Sequence, residues 1–537
     1  MKLEYFFFLP AISFFSINTQ VIAQITPDNS LGNESSRPTR NQGRNVIEGG
    51  ATRGNNLFHS FKEFNIRNGK NAYFANPKGI ENIFTRITGN NRSKIFGILG
   101  VLGKANLFLI NPNGIIFGNQ AKLDLKGSFF ASSADSIVFD SGFQFSASQP
   151  DIPPLLIVNI PVGFSLRDNP GNVKVNKSYL KVRKGQSLSL LGGNIGINNS
   201  QLQASEGTLN LGAVAGNNLV TIEQNGQNSS LYDFKYQSVQ EFKNISISGA
   251  NNSDSSDFSG TLIKTGGQGG GAINLQGRNV NLSGKTLISS NTQGNRPGAE
   301  ITILAEDLTL TERARIFANT GNTSQGNGSS INVQIKNLLI RGQFFGYTGI
   351  FADAYGEGKG GNLTLKASEG IKLSGGNGIF TSANSKGDAG NLTITTPILK
   401  MTNGFQVASL ASLDGKGKAG NVTVNSSDSI KLLAGSIIAS QAFRGDGGNL
   451  DVITNELIAK DGSQIGTSTF GAGNSGDLFV KAKLIKLIGT DGTNNINPTG
   501  LFSQVNIDEF NPNDRGNGGS LTIDTGKLIL LEGAQIL

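Results

Sequence analysis

From Gly266 onward the chain repeats itself, and that repeat limits the possible folds more than any other feature. Aligned on the first apolar residue after a Gly-rich turn, successive units begin at Ile273, Ile301, Ile331, Leu363, Leu392, Val422, Leu450 and Leu478. These positions are separated by 28, 30, 32, 29, 30, 28 and 28 residues. A ninth anchor, Leu521, comes 43 residues later, which puts an insertion between Ile488 and Gly518. Each unit reads Gly-x-Asn-Leu-Thr-Ile, then an apolar-x-apolar pair, then small residues. Gly361-Asn362-Leu363-Thr364-Leu365, Ile371-Lys372-Leu373 and Gly378-Ile379-Phe380-Thr381 make up one copy. Alternation over such short runs predicts strands of two to five residues. Three strands per unit form one turn of a right-handed parallel β-helix. Stacked turns pair each other's backbone, and inward Leu, Ile and Val build one continuous core. The anchors are predicted to share one interior column, and about twenty coils at ~4.8 Å give a rod on the order of 100 Å. Asn362, Asn391, Asn421 and Asn449 recur at one corner, where Asn suits a left-handed conformation and can ladder with its copies.

Composition is consistent with an all-β solenoid. Among 537 residues there are 73 Gly, 33 Phe, one His, no Trp and no Cys. Glycine at about twice the usual share, without a three-residue period, excludes collagen, and the apolar content is ample for a long core. A solenoid also escapes the usual division of such a length into three or four globular domains. No disulfide can staple the fold.

The amino terminus carries Lys2, an apolar run from Tyr5 to Ile17 and Val21-Ile22-Ala23 before Gln24, which together read as a Sec-type signal peptide over residues 1–23. No later run reaches the ~18 apolar residues of a membrane helix. The mature chain is therefore predicted to be soluble and outside the cytoplasm.

Short strands and Gly/Asn turns continue from Ile25 to about Ile137, with Ile83, Ile87, Ile95, Ile98 and Leu102 marking one apolar series. Within this part, Ala105 to Ile110 and Ile115 to Gly118 flank the turn Asn111-Pro112-Asn113-Gly114, in which proline presets φ and glycine supplies a positive φ. His59, without Cys or a second His, reads as a packing residue beside Phe58 and Phe61. Prolines between residues 150 and 172 predict an extended segment crossing the outside of the solenoid, not a central strand. Residues 223–260 are polar and read as loop. Lys174, Lys177, Lys181, Arg183 and Lys184 alternate with Val173, Val175, Leu180 and Val182, as in a strand pair with a solvated face.

Four segments occur in a fixed order: Gly49 to Ile66, Ile80 to Gly89, the Asn111 turn with its flanks, and Ala121 to Ser132. In that order they resemble the amino-terminal secretion domain of the filamentous haemagglutinin family, the exported partner of two-partner secretion, in its cyanobacterial style. The likeness is close over roughly residues 25–170. It implies a signal peptide at 1–23, a secretion domain at 24–260 with short extra-helical strands, and β-helix repeats over 261–537. The partner it implies is an outer-membrane β-barrel transporter with periplasmic POTRA domains, through which the chain passes unfolded to the cell surface or medium. Asn111, Pro112, Asn113, Gly114 and Ile115 match the family's signature turn, as an element that contacts the transporter or nucleates the first coils. A second family motif, Asn-Pro-Asn-Leu, does not occur here. The resemblance implies an adhesin-like product whose ligand is a glycan or protein on a host or other cell surface.

The alternative is a β-helical protein that binds or degrades polysaccharide. A hydrolase or lyase site needs clustered carboxylates, often with a cation. Here Asp388, Asp414 and Asp446 sit in Gly-rich turns, which turn chemistry explains. No nucleophile triad, phosphate loop, metal cluster or nucleic-acid module is present, so the expectation is no enzyme activity, cofactor or metal. A contact-dependent toxin stalk would need a globular carboxyl-terminal domain. The end of the sequence within a repeat unit predicts a fragment of a longer chain.

Overall fold

A computed structural model describes residues 25–41, 43–150, 160–224, 231–250, 260–342, 347–375, 378–412, 416–443, 445–492, 497–505 and 516–537. The predicted signal peptide, Asp414 and residues 151–159 of the proline-rich stretch lie outside the described residues. The chain forms a right-handed parallel β-helix with three sheets running its length.

The register of the first sheet tests the repeat directly. Ile273 pairs with Ile301, and the pairing continues through Ile331, Leu363, Leu392, Val422, Leu450 and Leu478 to Leu521. All the anchors therefore share one column. The same column extends back through Leu209, Leu188, Phe129, Leu107 and Ile83 to Leu57. Those fifteen levels, at ~4.8 Å each, give a rod of about 70 Å, shorter than the sequence predicts. The difference went into connections and an additional sheet that do not lengthen the stack. One hydrophobic cluster fills the interior from Ile47 to Leu501.

Several local expectations change. From Ile331 onward, the first two strands of most coils merge into extended segments of 11 or 12 residues, such as Ile331–Arg341 and Leu363–Ser374, which serve two sheets. In the strand Ile98–Val101, Leu99 and Val101 are buried while Leu102 is 45% exposed. A one-residue slip of the alternation accounts for this, because it exchanges the two faces of a strand. The insertion after Ile488 leaves the strand Gly500–Val505 in normal register on Gln464–Thr469.

The Asn corner ladders, but without left-handed backbone. Asn362 Oδ1 accepts the N–H of Asn391, Asn391 Oδ1 that of Asn421, and Asn421 Oδ1 that of Asn449, at 2.9–3.1 Å. None of these residues has positive φ. The ladder joins side chain to backbone, so each Asn satisfies a corner N–H that no strand can reach. Asp388 and Asp446 do the same for Lys418 and Asn474. Beside the Asn corner, Gly361, Gly390, Gly420, Gly448 and Gly476 stack so closely that a Cβ on any of them would overlap the carbonyl oxygen of the coil below. That packing explains why glycine precedes Asn362, Asn391, Asn421 and Asn449, and Asp477 at the next level.

A second sheet system covers the amino-terminal coils. Ser136–Phe139, Gln144–Ser146, Pro161–Leu166, Asn218–Gln224 and Tyr232–Lys235 form a five-stranded antiparallel sheet outside the helix. Pro161–Leu166 is central in it, between Ser136–Phe139 and Asn218–Gln224, contrary to the sequence expectation. Pro161 is tolerated because it opens the strand at a register shift opposite Phe139. The polar stretch 223–260 likewise holds Tyr232–Lys235 and a core strand, Ile245–Ser248. Between sheet and helix lies a second hydrophobic cluster built on the outward residues Phe58, Phe84, Phe108 and Phe130. Their rings follow one another at 5.2, 4.8 and 4.3 Å. The basic segment spans two sheets: Val173–Asn176 and Tyr179–Lys181 turn a corner at Lys177 and do not pair with each other.

His59 points into the helix, away from Phe58. Its ring lies 5.1 Å from Phe74 and 6.1 Å from Phe61, and Nδ1 is 3.0 Å from Ser36 Oγ. Nε2 is buried without a partner among the described residues. Burial holds the imidazole neutral and lowers its pKa to about 3. The unfolded chain therefore takes up a proton below pH ~6.5 that the folded chain refuses, so stability is full above that pH and falls between it and about 3. The expected loss between pH 7 and pH 5 is about 2 kcal/mol. Urea midpoints at the two pH values should show this for the wild type and much less of it for His59→Gln; equal pH dependence in both would remove His59 as the cause.

Candidate functional site

The turn Asn111–Gly114 joins the first-sheet strand Asn106–Ile110 to the second-sheet strand Ile115–Phe117. Its own bonds are local: Gly114 N–H donates to Asn111 O at 2.8 Å, and Asn113 N–H to Asn111 Oδ1 at 3.0 Å. An Asn that accepts from the residue two places on, followed by proline with its preset φ, closes the turn without help from neighbours. Gly114 has φ +107°, and a Cβ there would lie 2.5 Å from Asn172 O.

Neighbouring coils then lock it from both sides. Below, Asn111 Nδ2 donates to Asn91 O and Ser93 Oγ, each at 3.0 Å, and Asn113 Nδ2 donates to Gly89 O at 2.8 Å. Above, Gly171 N–H donates to Pro112 O at 2.9 Å and Ile115 N–H to Asn172 O at 3.1 Å. Arg167 Nη2 reaches Asn113 Oδ1 at 2.9 Å. Asn111 and Ile115 are fully buried, and Asn113 is half-buried. The five residues predicted from sequence thus sit together as a hub tying three coils. Sequence reading missed the partners in Gly89–Ser93 and Arg167–Asn172, although Pro170-Gly171-Asn172 repeats the turn's residue types at the same corner.

A second centre lies beside it. Arg86 is fully buried on the outward face of the first sheet. Nε donates to Ser60 Oγ at 3.0 Å, Nη1 to Ser146 O at 2.7 Å, and Nη2 to Ser30 Oγ at 2.9 Å and Pro150 O at 2.6 Å. The guanidinium stacks 4.3 Å from the Phe145 ring centroid. Ser30, Ser60 and Thr88 in turn donate to the Asp28 carboxylate at 2.5–2.7 Å. Burial raises the Asp28 pKa, but those hydrogen bonds outweigh it and leave the carboxyl below its usual range. Arg86 therefore joins the amino-terminal residues Asp28 and Ser30, the helix and the segment Gln144–Pro150 at the antiparallel sheet.

Residues 23–275, which contain both centres, match the family model of the TPS secretion domain. The chain carries a TPS secretion domain. Solved structures similar to the chain include the HMW1 secretion domain from Haemophilus influenzae, at 16% identity and TM-score 0.40, covering 93% of this chain and 97% of that one. A filamentous hemagglutinin secretion domain is similar at 14% identity and TM-score 0.31, covering 59% of this chain and 95% of that one. No curated protein matches the chain. The TPS domain makes this an export of two-partner secretion, bound for the cell surface or extracellular space, and implies a partner transporter in the outer membrane. TPS secretion domains are not enzymes. No helix among the described residues is long and apolar enough to cross a membrane.

Proposed function

We propose that this chain is an adhesin-like surface rod, that residues 24–260 carry recognition by the transporter's POTRA domains, and that the Asn111–Ile115 turn nucleates the β-helix as the chain emerges. The signal peptide at 1–23 delivers it to the periplasm, and residues 261–537 extend the rod outward. The observation that carries this reading is the turn's construction within the TPS domain. Its internal bonds need no neighbouring coil, and its outward bonds reach the coils on either side. Closing a preset turn lowers the entropy cost of the first long-range pairing. Burial of Asn111 and Ile115 favours nucleation over contact with the transporter by the folded rod.

Co-expression with and without the cognate transporter tests the export half. The mature chain, beginning near Gln24, is expected in the medium or on the surface only when the transporter is present. Equal export without it would refute the reading.

A further inference from the structure

The third sheet carries a groove far from the TPS turn. It has a volume of about 570 Å³ and spans the coils from Arg315 to Leu410. Its floor is an outward column in which Phe317 pairs with Phe351 and Phe351 with Phe380. The ring centroids are 4.9 and 5.9 Å apart. Outward aromatic rings on three successive coils of a solenoid form an apolar strip along its axis. Glycine makes room for them. A Cβ at Gly378 would overlap the Phe380 ring, and one at Gly349 would lie 3.0 Å from Phe351 Cζ. Two of the rings therefore lie across the sheet, over the glycine two residues earlier. Tyr347, 73% exposed, and Tyr355, 40% exposed, form part of the wall.

Polar groups in the groove lack partners. Asp353 is 6% exposed and takes hydrogen bonds from Ser382, yet its Oδ1 is buried with none among the described residues. Arg315 lies 5.3 Å over the Phe317 ring, and its Nε is likewise buried and unsatisfied among the described residues. A buried polar group without a partner costs roughly 1–3 kcal/mol, so each favours a ligand that completes it. One vacant site accepts and the other donates. A hydroxyl can do both, whereas a carboxylate or ammonium does only one.

We infer that this groove binds a neutral glycan, with the apolar faces of its sugar rings on Phe317, Phe351 and Phe380 and its hydroxyls on Asp353 and Arg315. This rests on the reading of the chain as a surface-binding rod and gives that reading a ligand class and a place. Among the described residues Asp353 is the one carboxylate lining the groove, whereas glycoside hydrolysis generally takes two, so the site is assigned to holding its ligand and not to cleaving it.

The test uses the secreted full-length mature chain on an array of neutral glucan, mannan and galactan, uronate-bearing and sulfated oligosaccharides. Neutral members are expected to be retained. Tyr347→Ala, an exposed position whose loss leaves the fold intact, should weaken retention at least tenfold, and Asp353→Asn at least fivefold, with unchanged melting of both. Retention only of acidic or sulfated members, no retention, or retention indifferent to both variants overturns the groove. Export and cell adhesion are scored on the same proteins. Adhesion by wild type and Tyr347→Ala alike would overturn the groove and leave the adhesin reading standing. Failure of transporter-dependent export would remove that reading whatever the array shows.

Discussion

Gly114→Val is expected to stop export and to destabilise the finished rod. Two independent penalties fall on the same atom. The backbone at φ +107° lies where a β-branched side chain is strained, at about 1–3 kcal/mol. The new Cβ would also meet Asn172 O at 2.5 Å, so the coil above must shift and loosen the bond from Ile115 N–H to Asn172 O. The total expected is about 3–5 kcal/mol. Gly114→Ala keeps the close approach without the branch and should cost less. Once stacked, the rod spreads that loss over many coils, whereas the nascent chain has only the first coils to hold. The expected result is therefore intact secondary structure after refolding, with a lowered urea midpoint. Pulse-chase export should stall and leave the chain to periplasmic proteolysis. Normal export of Gly114→Val would reduce Asn111–Ile115 to an ordinary turn, and an unchanged midpoint would contradict the steric argument.

Arg86→Met is expected to cost about 3–5 kcal/mol, as removing one member of a buried charge network does. Methionine fills much of the volume but returns none of the hydrogen bonds. Ser146 O and Pro150 O would be left without their guanidinium donor, and Asp28 would lose the positive charge one hydroxyl away. Damage should be local first. Protection of Gln144–Ser146 against hydrogen exchange should fall well before that of the column from Ile273 to Leu478. Uniform loss along the rod, or none at Gln144–Ser146, would show that Arg86 does not pin the sheet. Arg86→Lys keeps the charge but not the fork, so it should recover only part of the loss.

How much of this could be read from the residues depends on the range of the interactions involved. The parallel β-helix follows from alternation and from the spacing of Ile273 to Leu478, because both are local patterns repeated until one arrangement satisfies them all. The Asn111–Gly114 turn is equally local: its proline, its Asn and its glycine prescribe the bend whatever surrounds it. The strand Pro161–Leu166 shows the limit of such reasoning. Its proline argues against a central position, yet the cost depends on whether a partner needs that N–H, and the shift opposite Phe139 removes the need. The Asn corner shows the same limit, since its bonds run to a backbone N–H about thirty residues away and not to the residue's own turn.

Arg86 and Asp353 were invisible for a related reason. One arginine within Ile80–Gly89 looks like any surface charge, and its burial depends on partners as far as 64 positions later, beside the antiparallel sheet. Phe317, Phe351 and Phe380 are separated by 34 and 29 residues, differences of their positions, and become one surface only when successive coils bring them within 6 Å. The coil, its period and its turn are legible in the residues alone, since neighbours within a few residues settle alternation and φ. Tertiary structure alone decided which outward side chains meet across coils, because that depends on loop lengths no local rule reports, and the buried arginine and the aromatic groove arise there.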